Sequence, residues 1–288
     1  MDDLTVDYPP AHHFLRDLGV VSEQLSAERS VTVAPVTSAV RNGGGAAALG
    51  FLATLIDVNA ALVALLASNP DWNATVDLEL RSTEPLVGRA AVVESELVRA
   101  GSNLVTVATR VRDGGATDDP DELLSADRSA LTTAARSLVT FARIPRKASV
   151  ASADFDPTTM IGQRRELVGV SAPPPESILE RIGLRVVDAP AGHVELARTD
   201  YVRNSFGAIN GGVLGLVFQG AAEAAVADHV ATDLQIHYLS QAKHGPVRTD
   251  TEILRRTDGY AVCAIEARDA GHDDALLAVA TVGLTPPG

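Results

Sequence analysis

The stretch NSFGAINGG, from Asn204 to Gly212, runs directly into an apolar segment, VLGLVFQGAAEAAV, that ends at Val226. Two adjacent glycines at the start of a helix remove both Cβ atoms from its mouth. A ligand or another segment can then approach backbone N–H groups that the helix itself leaves unused. The chain carries a second, altered version, NGGGAAALG, from Asn42 to Gly50, which again opens onto a long apolar run. There the asparagine and the final glycine persist, while Ala48 and Leu49 stand where the better-preserved version has Asn210 and Gly211.

The two versions align without a gap at an offset of 162 residues, over Val33–Asp57 and Glu195–Gln219. Thr37, Arg41, Asn42, Gly45 and Gly50 meet Thr199, Arg203, Asn204, Gly207 and Gly212. Upstream, HHFLRDLGVV matches ESILERIGLRVV after a slip of two residues; downstream, TVDLELR matches TDLQIHY, and ELVRAGSNLVTVATRVRDGG matches EILRRTDGYAVCAIEARDAG. A repeat of about 120 residues is too long for a solenoid and marks two homologous domains. The boundaries read as an N-terminal domain over 1–146, a linker over 147–164 with its Ser, Asp and Pro, and a C-terminal domain over 165–288. The first copy also carries an acidic insertion around GGATDDPDELL.

Each copy holds one long apolar helical segment followed by strand-like runs. Val76–Leu80, Leu104–Arg112, Leu234–Tyr238 and Tyr260–Arg268 alternate with period two and are rich in β-branched residues. A sheet with one apolar face needs cover, and the long helix is the available element. The expectation is an α+β fold in which each antiparallel sheet wraps around its helix. The two helices, from about Ala47 to Ala67 and Gly211 to Val230, should lie side by side, and the two sheets should join edge to edge.

Composition narrows the partners. A formal charge of −13 argues against nucleic acid, whose phosphates need a basic face. The single cysteine, Cys263, and a start, MDDLTVDYPP, without a basic and apolar leader indicate a cytoplasmic protein. Ala46–Ala67 is long enough to cross a bilayer and has one charge, Asp57. A central aspartate costs roughly 2.5 to 3.5 kcal/mol on insertion. No basic flank frames the segment, so a buried core helix is expected and no membrane span.

The order strand, N-x-x-G-x-x-(H or N)-G-G, apolar helix with a carboxylate, and V-D-L-type strand resembles the hotdog-fold acyl-CoA thioesterases of the HGG class. Two fused copies resemble a double hotdog, and the resemblance extends over about Ala11 to Pro287. It implies a thioester hydrolase. The N–H of the first glycine of the pair would polarise the thioester carbonyl, and a helix carboxylate would act as base or nucleophile. Carried over, the second copy supplies Asn204, Asn210, Gly211 and Gly212, but has Gln219 at the carboxylate position; the first copy has Asn42 and Leu49, but keeps Asp57.

Helix geometry assigns these to a shared site. Gly211 and Gln219 are eight residues apart. Eight residues span about 12 Å along a helix, so the two cannot serve one carbonyl carbon. The base must come from the other copy. One composite site therefore combines Gly211, Asn204 and Asn210 with Asp57, and a degenerate one would combine Asn42 and Leu49 with Gln219. Thr75, at the position where some relatives hold the attacking water with a hydroxyl, accompanies Asp57; the second copy has Ala231 there.

Coenzyme A phosphates need cations. Arg203, Lys243, Arg255 and Arg256 are candidates, with Gly212 also in the substrate-binding set. The seven histidines show no spacing of the HExxH kind, so neither a metal site nor a cofactor beyond the substrate's own coenzyme A is expected. Asn204 also reads as a turn-former, and the glycine pair as a packing device. A non-catalytic acyl-CoA or lipid-ligand binding protein is the main alternative. A hydratase lacks the histidine it would need near Asp200. Two chains pairing as a homodimer of double hotdogs is a further expectation.

Overall fold

The computed structural model describes residues 8–146, 155–169 and 176–287; residues 147–154 of the expected linker lie outside them. The first half contains α1 (Phe14–Asp17), β1 (Val20–Ser26), β2 (Arg29–Pro35), α2 (Leu49–Ser68), β3 (Trp72–Ser82), β4 (Ala90–Ala100), β5 (Leu104–Asp113), α3 (Pro120–Ser125) and β6 (Thr133–Ile144). A short strand, β7 (Arg164–Leu167), follows. The second half contains α4 (Ile178–Arg181), β8 (Arg185–Asp188), β9 (His193–Leu196), α5 (Gly211–Ala225), β10 (Val230–Tyr238), β11 (Val247–Arg256), β12 (Ala261–Asp269) and β13 (Ala275–Thr285).

The thirteen strands among the described residues belong to one sheet, in the order β7-β1-β2-β4-β5-β6-β3-β10-β13-β12-β11-β9-β8. Apart from β7, the first half runs β1-β2-β4-β5-β6-β3 and the second β8-β9-β11-β12-β13-β10, which is the same path taken twice. The halves join where β3 pairs antiparallel with β10, Leu78 opposite Ile236 and Leu80 opposite Leu234, so each half covers an edge that its twin would expose. Even a bulge recurs: the register shifts after Thr75 on β3 and after Ala231 on β10, which aligns those two positions in space as in sequence.

The helix α2 is apolar on all sides because all of its sides are in demand. It packs against β2 to β6 of its own half and against α5 of the other. Phe51, Leu55 and Ile56 are fully buried, each contributing roughly 1.5 to 3 kcal/mol. Its bilayer-compatible length is that of a core helix. The two helices run antiparallel, Gly50 against Leu216, Ala53 against Gly215 and Thr54 against Gly212. Glycine permits the approach: a Cβ at Gly212 would stand 2.6 Å from the Thr54 Cα, and one at Gly50 2.7 Å from the Leu216 Cα.

Two boundaries differ from expectation. β7 pairs with β1, Val20 opposite Leu167 and Glu23 opposite Arg164, so residues 165–167 extend the first half's sheet although the reading of the sequence places them in the second domain. Helix α5 ends at Ala225 rather than near Val230, because the chain turns there to start β10. The acidic insertion folds as α3, with Leu123 buried beside Val31, Val33 and Val92.

Candidate active site

The motif loop is built by its own asparagine. Asn204 Oδ1 accepts hydrogen bonds from the N–H groups of Phe206 (3.0 Å) and Ala208 (3.1 Å), and Gly207 takes a positive φ of 76°. The altered copy repeats this: Asn42 Oδ1 accepts from Gly44 (3.0 Å) and Ala46 (3.2 Å), and Gly45 has φ 79°. Asn204 was a catalytic candidate in sequence. Its carbonyl oxygen is instead committed to the turn, which explains why both copies retain it.

Past the turn, Asn210 caps α5. Its Oδ1 accepts from Gly212 N–H at 2.9 Å, while Ala48 at the same point of α2 offers no side-chain cap. Among the described residues no acceptor takes up the Gly211 N–H. The Gly211 carbonyl accepts from the Tyr238 hydroxyl at 3.0 Å, fixing the peptide that follows.

Asp57 reaches this helix mouth from the other half. A Cβ placed on Gly211 would lie 3.0 Å from Asp57 Oδ2, so the glycine makes room for the carboxylate. Asp57 Oδ1 accepts a 2.6 Å hydrogen bond from Thr75 Oγ1, and the Gly212 N–H also faces the carboxylate. Burial raises the Asp57 carboxyl above the usual carboxylate range; Thr75 and Gly212 oppose that shift in part. The structure thus brings Asp57, Thr75, Asn210, Gly211 and Gly212 together. Of the glycines, Gly211 faces the acid, and Gly212 chiefly admits the backbone of Thr54.

The twin location is occupied by the protein itself. Gln219 Oε1 accepts from Gly50 N–H at 2.7 Å, and its Nε2 donates to both oxygens of Glu223 at 3.1 Å. Glu223 also accepts from Ala231 N–H at 3.0 Å. Burial raises the Glu223 carboxyl as well. Leu49 is buried where Gly211 stands in the other site.

The cationic candidates separate. Arg41, in the first copy, holds the carbonyls of Val36, Gly45, Val87 and Gly88. In the second copy Arg198 takes over the Gly207 carbonyl, leaving Arg203 half-exposed in an ion pair with Asp200 at 3.2 Å. Lys243 is exposed beside the motif loop, since the preceding Ala242 carbonyl accepts from Ile209 N–H. Arg255 and Arg256 lie elsewhere: Arg255 sits over the Tyr260 ring and Arg256 pairs with Asp228, past the end of α5 opposite to Gly211. The sequence reading overlooked Tyr238, whose place at a strand end gives no distinguishing signal, and Tyr8, which lies beside Asn210 and Asp57.

Residues 201–283 match the family model described as the acyl-CoA thioesterase N-terminal domain. No curated protein sequence matches the chain. Among solved structures, a protein given the name thioesterase II from Thermobifida fusca aligns at 15% identity and a TM-score of 0.56, over 96% of this chain and 98% of its own. The 12:0-ACP thioesterase of Umbellularia californica aligns at 10% identity and 0.58, over 90% and 94%. A hot dog fold protein from Alicyclobacillus acidocaldarius aligns at 11% and 0.54, over 96% and 98%. Residues 201–283 of the second half thus match an acyl-CoA thioesterase domain, and the chain shares the hotdog fold of these structures, with the same strand path taken twice.

Proposed function

We propose that the protein hydrolyses an acyl-CoA thioester at one composite site formed by Asp57 and Thr75 of the first half and Gly211 of the second. The observation that carries the proposal is the Asp57 carboxylate held by Thr75 at 2.6 Å and turned towards Gly211 at the mouth of α5. In this mechanism Asp57 takes a proton from water as its oxygen forms a bond to the thioester carbonyl carbon. The carbonyl electron pair moves to oxygen and is stabilised by the Gly211 N–H and the helix terminus. When the pair returns, the C–S bond breaks and the thiolate recovers the proton from Asp57. Water is the acceptor and no further cofactor takes part. Arg203 and Lys243, flanking the motif loop, are the groups for the phosphates of coenzyme A.

Thiol release from a panel of acyl-CoAs, with acyl-carrier-protein thioesters beside them because some structural neighbours are ACP thioesterases, tests the proposal. Turnover that disappears in Asp57→Asn supports it. The second reading, a non-catalytic acyl-thioester binder, is favoured by the self-filled twin location and by asparagine at position 210. Binding of acyl-CoA without turnover of any panel member would establish that reading instead.

A further inference from the structure

The N-terminal segment is pinned against the motif loop of the opposite half. Arg16 Nε and Nη2 hold the Pro9 carbonyl at 3.1 and 2.9 Å, and Nε also reaches the Pro10 carbonyl at 2.9 Å. Arg165 donates to the Tyr8 carbonyl. The Tyr8 ring packs edge-on to His13, centroids 5.3 Å apart. His13 is itself buried and fixed: Nε2 donates to the Arg203 carbonyl at 2.9 Å, and Nδ1 accepts from Leu15 N–H at 3.3 Å. Arg203 bridges to Ile209, which places this chain of contacts next to Asn210.

At the end of this strap the Tyr8 hydroxyl is fully enclosed. It stands beside the Asn210 side chain and within the field of Asp57. It nevertheless makes no well-formed hydrogen bond among the described residues. Among the described residues no group meets the O–H with hydrogen-bond geometry, and protein interiors seldom leave an enclosed hydroxyl so. A ligand atom at the mouth of α5 would complete it.

The internal repeat supplies an independent observation. YPPAHHF (Tyr8–Phe14) aligns with APPPESI (Ala172–Ile178) at an offset of 164, and His13 and Ser177 each cap the short helix that follows. The copy keeps both prolines and has alanine in place of the tyrosine. Tyr8 therefore differs between halves in the same direction as Asp57 against Gln219 and Thr75 against Ala231. All three polar groups belong to the half that serves the open site.

We propose that Tyr8 contacts the substrate, its hydroxyl donating a hydrogen bond to the thioester carbonyl oxygen alongside the Gly211 N–H. This rests on the composite-site reading above. During attack the developing negative charge on that oxygen is shared by an O–H and an N–H donor, and the tyrosine keeps its proton throughout. Burial pushes the phenol up to about 12, so it is a donor across the neutral range.

Two ligands separate the proposal from the reading it rests on. One is a hexanoyl-CoA analogue with CH₂ in place of sulfur, which keeps the carbonyl; the other is the thioether S-hexyl-CoA, which lacks it. Tyr8→Phe, which preserves the ring on His13, should weaken the ketone about tenfold, the scale of one hydrogen bond, and leave the thioether unchanged. Hydrolysis should lose about 10² to 10³ in kcat, as for removal of an oxyanion donor, with a smaller change in KM and an unaltered melting temperature. Equal weakening of both ligands, or of neither, would overturn the role of Tyr8 while leaving Asp57 untouched. Failure of the wild-type protein to bind either ligand would remove the composite site and Tyr8 with it.

Discussion

Gln219 of one half and Gly50 of the other are joined by a 2.7 Å hydrogen bond at the point where pseudo-symmetry would place the counterpart of Asp57 and Gly212. An amide oxygen thereby satisfies an orphan N–H at the start of α2, the task that Asn210 performs at the start of α5. Two helix mouths of common origin have diverged, one left open to a ligand and one closed by a side chain.

Closure of the twin location is therefore structural. Gln219→Asn shortens the side chain so that it no longer reaches Gly50 N–H, and leaving that buried donor unpaired costs about 1 to 3 kcal/mol. Chemical denaturation should report the loss. Turnover of the folded variant should equal that of the wild type; loss of hydrolysis in Gln219→Asn, with Asp57→Asn active, would assign the working site to the other pair of helix ends.

Neighbouring glycines should fail differently. A methyl on Gly211 would meet Asp57 Oδ2 at 3.0 Å and push the carboxylate aside, so Gly211→Ala should fold normally yet lose about 10- to 100-fold in kcat/KM. A methyl on Gly212 would meet the Thr54 backbone at 2.6 Å, which must open the helix contact. Gly212→Ala should cost about 1 to 3 kcal/mol of stability. Equal melting temperatures for the two variants would contradict this division.

Much of the fold was legible because the chain states its pattern twice. The offset of 162 placed the helix starts near Ala47 and at Gly211, where the structure has Leu49 and Gly211, and the eight-residue spacing forced Asp57 across to the opposite half. What stayed hidden has physical reasons. Asn204 was ambiguous because a short polar side chain can serve a ligand or its own backbone, and only the folded loop brings both N–H groups onto its oxygen. Arg256 lies past the far end of α5 because β11 runs antiparallel to its neighbours, a placement that local sequence does not contain. Tyr8 and Tyr238 join the site from positions 230 residues apart, where no periodicity links them. Strand β7 is four residues with three exposed, too short and polar for an alternation signal.

Thr75 should act through Asp57. Its 2.6 Å hydrogen bond stabilises the carboxylate against the effect of burial, so Thr75→Val raises the Asp57 carboxyl further. The acid limb of the kcat/KM profile should move to higher pH. Thr75→Ser, which restores the hydroxyl, should return it towards the wild-type position. A limb that stays fixed in Thr75→Val, in an active folded enzyme, would mean that Thr75 serves only the strand.

Asp57 sets activity against stability. Burial raises its carboxyl in the folded chain, so the folded state holds the proton more tightly than the unfolded one. Its favourable contribution is complete below the ordinary carboxylate range and is lost as pH rises through the raised value. At neutral pH the ionised, buried acid therefore destabilises the fold. Asp57→Asn removes that charge and keeps an oxygen for the Thr75 hydroxyl. The variant should melt higher than the wild type at pH 7 to 8, with the gap closing towards pH 4, while hydrolysis falls by about 10² to 10⁴. Thermal melts across that range, read beside thiol release, test both halves of the statement. A variant that is inactive and also melts lower at pH 8 would show that the carboxylate is held by a stabilising partner, not poised as a base.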